Sequence, residues 1–305
     1  MIMRKEIKNR SASIKARLMN IARAEKIDFD SLLFRYFQER LLYRLSISDF
    51  SDRFVLKGDL VLMCLNFPAY RPTKDIDLLA RQVKNDVREI ENIFRRISEI
   101  QCDDGVKFIP SSIASERITE DADYEGIRLK IDGTLGQARK RLQVDIGFGD
   151  IIIPEATSVE FPSLLEDSPK VKAYSVESII SEKFEAMIKL AMANSRMKDF
   201  YDVYFLSSSH NFKGNELKKA IETTFQRRKT PMPDNPLIFR PEFHRDKERQ
   251  KMWTAFLRKS RLHDVNQEFS EVMHRITVFL EPVVRLINEK SETNMSWIAN
   301  KGIWE

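Results

Sequence analysis

Asp75 and Asp77 are separated by one residue in the run Asp75-Ile76-Asp77-Leu78. Side chains alternate along a strand, so both carboxylates would share one face while Ile76 and Leu78 turn into a core. Two like charges held that close repel unless a cation lies between them. Hard oxygen donors favour a divalent ion such as Mg2+. Lys57-Gly58 precedes the pair, and a glycine turn there lets backbone N–H groups face a phosphate. Together these residues suit a site for a nucleoside triphosphate and its metal.

Asp145 lies in Leu142-Gln143-Val144-Asp145-Ile146 and alternates away from Val144 and Ile146. A strand carrying it beside Asp75 and Asp77 would bring three carboxylates onto one sheet face. That arrangement suits metal-assisted nucleotidyl transfer, with Asp145 helping to deprotonate the attacking hydroxyl. The plainer alternative is a strand-end aspartate before Gly147 and Gly149.

Lys183 shares a helical stripe with Val176, Ile180, Met187 and Leu190. A lysine in an apolar stripe is costly without an anion, and a phosphate would serve. A snorkelling lysine is the alternative, and Lys189, off the stripe, reads as a solvated charge. In Arg196-Met197-Lys198-Asp199-Phe200-Tyr201-Asp202, Asp199 lies one turn from both Arg196 and Asp202. Acidic side chains in a first turn suit the helix dipole, so spacing alone favours a structural role for Asp199.

The elements that must position these groups follow from periodicity. Residues 4–26 read as a basic amphipathic helix, and 31–46 as a second helix capped by Asp28 or Asp30. A short strand, Arg53 to Lys57, ends at Gly58. A helix over Leu60 to Leu65 should stop by Pro68. Strands are expected at 75–80, 127–131, 142–146 and 158–164, with the middle pair as antiparallel neighbours. A helix over 85–100 carries Val87, Ile90, Ile93, Phe94 and Ile97 on one face. The segment 171–175 leads into a helix capped by Ser175 or Ser178. Beyond it the pattern predicts helices at 176–193, 197–208, 215–226, 246–259 and 265–287. The chain thus divides into a mixed α/β part, 1–174, and an all-helical part, 175–305.

Composition narrows the classes. No apolar run reaches the roughly 18 residues of a membrane span, and Met1 to Glu6 lead into no signal-peptide core. Cys64 and Cys102 lack metal-ligand spacing and imply no disulfide framework, so a cytoplasmic protein is expected. Phosphate-loop, dinucleotide-binding, zinc-protease and nucleophile-elbow motifs are absent, and the four histidines form no cluster. The net charge is +5, but residues 227–261 hold eleven Lys/Arg against four Asp/Glu. Phe239, Phe243, Trp253 and Phe256 lie among them, as a polyanion-binding surface would need; a solvated basic face is the alternative.

Four ordered pieces now stand together: Phe54-Val55-Leu56-Lys57-Gly58, Thr73-Lys74-Asp75-Ile76-Asp77-Leu78, Glu182-Lys183-Phe184-Glu185-Ala186, and the Arg196–Asp202 run. They span about half the chain. In them the chain resembles the AbiEii/AbiGii family of nucleotidyltransferase toxins, which includes the MenT toxins of type IV toxin–antitoxin and abortive-infection systems. The resemblance implies an α+β fold: a polymerase-β-like nucleotidyltransferase domain with a mixed sheet, then a helical C-terminal domain. It implies Asp75 and Asp77 as Mg2+ ligands and Lys57-Gly58 as part of the triphosphate turn. It implies Lys183 and Asp199 as essential, with Arg196, Lys198 and Asp202 of the same motif beside the nucleotide. It further implies an NTP substrate, an RNA acceptor such as the tRNA 3′ end with a block on translation, and a cognate antitoxin. One departure is Asp59, where the family turn usually continues with glycine or serine. That carboxylate favours one rival, a nucleotide-binding regulator without turnover; a transferase with a protein acceptor is a second rival.

Overall fold

The computed structural model describes residues 9–65, 73–120, 124–260, 262 and 267–305. The chain splits into two compact units. One holds the chain up to Gly149 together with Thr157–Ala173; the other holds Asp150–Ala156 and Tyr174–Glu305.

The first unit contains α1 (Arg10–Ala24), α2 (Phe29–Ser46), β1 (Phe54–Lys57), α3 (Asp59–Met63), β2 (Asp75–Ala80), α4 (Val87–Glu99), β3 (Val106–Glu120), β4 (Tyr124–Leu135), β5 (Ala138–Phe148), β6 (Thr157–Glu160) and β7 (Lys170–Ala173). Its seven strands lie in the order β3-β4-β5-β2-β1-β7-β6. The sheet is mixed: β2 runs parallel to β5 and β1 parallel to β7, and the other neighbours are antiparallel. Alternation sorts its two faces. Phe54 and Leu56, Ile76 and Leu78, Val144 and Ile146, and Ile127 and Leu129 share one buried face. The α4 helix packs there, with Phe94 edge-on to Phe54 at 5.5 Å between centroids. Phe37 of α2 also reaches this face, close enough to Gly133 that a Cβ there would strike its ring.

Asp28 caps α2, accepting from the Ser31 N–H at 2.8 Å, as the sequence suggests. Its Arg44 acts as a rivet. All five guanidinium N–H groups have acceptors, on Ile100, Arg40 and Val106 carbonyls and on both oxygens of Asp104 (2.7 and 3.1 Å). This joins α2 to the end of α4 and the start of β3.

The long strand β3 escaped the sequence reading. Pro110 and the Ser111-Ser112 pair break its alternation, and the register with β4 shifts between Ile109 and Ala114. An edge strand tolerates such a proline and such a bulge. Pro68, expected to end α3, lies outside the described residues, as do residues 4–8 of the expected first helix and 265–266 of the expected last one.

The second unit contains α5 (Val176–Leu190), α6 (Met197–Ser209), β8 (Phe212–Lys213), α7 (Gly214–Arg227), α8 (Pro241–His244), α9 (Lys247–Lys259), α10 (Phe269–Asn288), β9 (Ser296–Ile298) and β10 (Ile303–Trp304). It is not all helical, as periodicity had implied: β10-β9-β8 form a small sheet. These strands are too short to show alternation. They exist because Trp297 and Trp304, cross-strand neighbours, both pack against Phe279 of α10, at 4.8 and 5.9 Å between centroids. Both indole N–H groups donate to backbone carbonyls, of Ser207 and Phe279. Among the described residues no helix is long and apolar enough to cross a membrane.

Replacing Arg44 by alanine leaves Asp104 buried without its counter-charge. We expect a loss of about 3–5 kcal/mol in unfolding free energy, measured by urea titration followed by circular dichroism.

Candidate active site

Asp75 and Asp77 lie at the start of β2, both half-buried, on the sheet face opposite the apolar core. The register extends this charged face across four strands. Asp77 stands opposite Lys57 of β1 and Asp145 of β5, and Asp145 stands opposite Arg128 of β4. Directly opposed residues project to the same side, so the row reads Lys57, Asp77, Asp145, Arg128: cation, anion, anion, cation. Asp75 stands in the next row, opposite Gln143.

Gly58 is required where it sits. Its φ is +69°, a conformation that side-chain-bearing residues rarely adopt. A Cβ at this position would also fall inside van der Waals contact of the Asp77 carboxylate. The turn therefore lets backbone pass directly against one of the paired carboxylates. Asp59, next in the chain, occupies the first turn of α3 and is half-buried.

Asp145 is brought beside Asp77 but is already engaged. Arg128 grips it with two parallel hydrogen bonds, Nε to Oδ1 at 2.9 Å and Nη2 to Oδ2 at 2.8 Å. Gln143 Nε2 adds a third at 3.2 Å. Hydrogen bonding to Asp145 holds the Arg128 guanidinium firmly protonated, further above neutrality than an ordinary arginine. Among the described residues no group of three or more His, Cys, Asp or Glu has the geometry to hold a metal ion. A magnesium ion is commonly held by one or two carboxylates plus substrate phosphates, and the Asp75–Asp77 pair fits that smaller requirement.

In the second unit, Lys183 of α5 projects into a set of opposite charges on α6. Its Nζ lies 3.0 Å from Asp199 Oδ1 and 2.7 Å from Asp202 Oδ2. Arg196 Nε lies 2.7 Å from Asp199 Oδ2. Both aspartates are fully buried and Lys183 is 9% exposed. Burial alone would raise the Asp199 carboxyl, but Lys183 and Arg196 outweigh it and hold it below the usual carboxylate range. Such a carboxylate is a poor base and a good anchor for an ammonium. Lys198 is half-buried on the same turn and adds a smaller positive contribution. The structural pairing of Arg196 with Asp199 read from spacing is present. The turn of Asp202 toward Lys183 was not foreseen, although positions 199 and 202 share a helix face. Lys189 is exposed.

The basic segment 227–261 is less uniform than its composition. Arg228 is half-buried and paired with Glu185 (2.9 Å) and Glu182 (3.4 Å). Arg249 is 4% exposed, bonded to Asp246 and the Met192 carbonyl and stacked over Phe243. Phe243 and Trp253 belong to an aromatic core with Phe200, Tyr201 and Phe269, so they offer no stacking platform to a polyanion. Exposed cations remain at Arg227, Lys229, Arg240, Arg245, Lys247, Lys251, Arg258 and Lys259. In the first unit, Arg10 and Arg17 of the basic α1 are tied to Glu166.

Comparison with known proteins gives one family match. The family described as "Nucleotidyl transferase AbiEii toxin, Type IV TA system" matches residues 40–275. Two crystal structures from Helicobacter pylori are similar. One is JHP933, 13% identical with a TM-score of 0.48, over 86% of this chain and 95% of that one. The other is a provisionally named nucleotidyltransferase, 13% identical with a TM-score of 0.48, over 88% and 100%. No curated protein sequence matches the chain.

Because the Asp199 carboxyl is lowered in the folded state, its contribution is fully present above the ordinary carboxylate range. It is lost as pH falls through the lowered folded value. Asp199→Asn should therefore cost about 3–5 kcal/mol near neutrality. The gap from wild type should shrink on acidification below about pH 4; thermal melts across a pH series measure it.

Proposed function

Since the chain belongs to the AbiEii family of nucleotidyl transferase toxins of type IV toxin–antitoxin systems, we propose that it moves a nucleotide from an NTP onto RNA with Mg2+. The acceptor in this reading is the 3′ end of tRNA, and the outcome is a block on translation in the cytoplasm, relieved by a cognate antitoxin. The observation that carries the reading is the Asp75–Asp77 pair on the charged sheet face, with the Gly58 backbone pressed against Asp77.

Asp75 and Asp77 would hold Mg2+, which when bound supplies charge neutralisation to a triphosphate. The Lys57-Gly58 turn would lie along the phosphates, where Gly58 leaves room that any Cβ would fill. Lys183 would contact phosphate, its ammonium oriented by Asp199 and Asp202. Arg196 and Lys198 would keep the surroundings of Lys183 positive. The lowered Asp199 carboxyl suits orientation of Lys183 rather than proton abstraction. Catalysis of this kind is mostly positioning and electrostatic stabilisation. The exposed cations from Arg227 to Lys259 support an RNA acceptor, although the aromatic residues among them do not.

With α-³²P-labelled NTPs and total RNA, the wild-type protein should label an RNA band, and Asp77→Ala or Lys183→Ala should lower the rate by at least about 100-fold. Undiminished transfer by Asp77→Ala would sink the reading. Labelling of protein alone would replace RNA as the acceptor.

For RNA binding, the logarithm of affinity should fall steeply with the logarithm of salt. Neutralising Arg227, Lys229, Arg240 and Arg245 together should lower that slope by about 0.7 per lost phosphate contact. Filter binding across a salt series measures it. Arg228 is left intact because its charge is paired with Glu182 and Glu185.

A further inference from the structure

The four-strand row sets a problem that Arg128 solves. Asp77 and Asp145 are direct cross-strand neighbours, and like charges so placed destabilise a sheet. A cation binding both would relieve the repulsion and recruit Asp145 as a third ligand. The sheet supplies a different remedy. The Arg128 fork covers one oxygen of Asp145 with Nε and the other with Nη2, and Gln143 takes a further position. A carboxylate offers about four lone-pair sites, so three of them are already filled. Asp145 is only 6% exposed, which leaves little access to the remaining one. A bidentate arginine–carboxylate pair is among the stronger and more geometrically defined polar contacts.

Resting on the metal site proposed above, we propose that Arg128 is a positioning residue that withholds Asp145 from the metal. The ligand set is then limited to Asp75 and Asp77. Asp145, its lone pairs occupied, is thereby also removed as the base for the acceptor hydroxyl. Gln143 contributes from the neighbouring row, where it stands opposite Asp75. Arginine is required because a lysine can make only a point contact, not a fork.

The test is the affinity of the full chain for Mn2+ alone, read from the electron paramagnetic resonance signal of the free ion. Wild type should bind, and Asp77→Asn should not. Arg128→Met frees Asp145 and should tighten Mn2+ by roughly tenfold, the scale on which ligand charge and outer-shell partners tune a metal site. The charge-balanced double variant Arg128→Met/Asp145→Asn should return to within about twofold of wild type, because Asp145 contributes nothing while Arg128 holds it. If Arg128→Met fails to fold, Arg128→Lys carries the same test, with a smaller tightening expected. Two outcomes overturn the inference alone: a double variant as weak as Asp77→Asn, or a folded Arg128→Met with unchanged affinity. No Mn2+ binding by wild type overturns the metal reading and this inference with it.

Discussion

The two-residue alternation of β2, held between β1 and β5, is the constraint on which the first unit depends. Because β2 is interior, both its edges are paired. Ile76 and Leu78 must be apolar to meet the α2–α4 side, and their alternates Asp75 and Asp77 are carried to the other side. A one-residue slip would drive both carboxylates into the core and is therefore strongly disfavoured. The same parity fixes which residues of β1, β4 and β5 can reach the paired carboxylates. Lys57, Asp145 and Arg128 qualify, and their neighbours in sequence do not. Gly58 completes the arrangement by permitting a backbone approach that no other residue allows.

Much of this could be read from the sequence because it is local. The β2 boundaries, the Asp28 and Ser175 caps and the buried stripe of α4 all follow from spacing and short-range hydrogen bonding. The β4–β5 pairing was legible in kind but not in register. Counting outward from the Leu135–Ala138 closing pair places Arg128 opposite Asp145, so the information was present once the turn was known. Arg128 itself gave no signal by residue type, since an arginine on a polar strand face is ordinary. What was not legible depends on distant partners. The β3 edge strand needs β4 to justify a proline and a bulge, and the β8–β10 sheet needs the side of α10.

Lys183 and the basic segment teach opposite lessons about charge. A cation in an apolar stripe called for an anion, and Asp199 and Asp202 supply two. A run of cations in sequence signalled a surface, yet Arg249 is interior, Arg228 is half-buried against two glutamates, and two of the aromatic residues among them are core. Burial forces charges to find partners, so the pattern of neighbours in space decides what a cation does. Composition along the chain averages over that distinction.

The chain passes out of the first unit at Asp150, joins the second for a few residues, and returns for β6 and β7 before leaving again at Tyr174. The returning β7 is the parallel neighbour of β1, the strand that ends in Lys57 and Gly58. A fragment ending at Gly149 would expose β1 as a raw sheet edge. In evolutionary terms the two units are stitched rather than strung: no single recombination crossover could exchange one for a homologous part and leave the other whole. Exchanging the second unit whole for a homologous part therefore takes more than one crossover, because the strands of the carboxylate sheet lie on both sides of the Asp150–Ala156 segment.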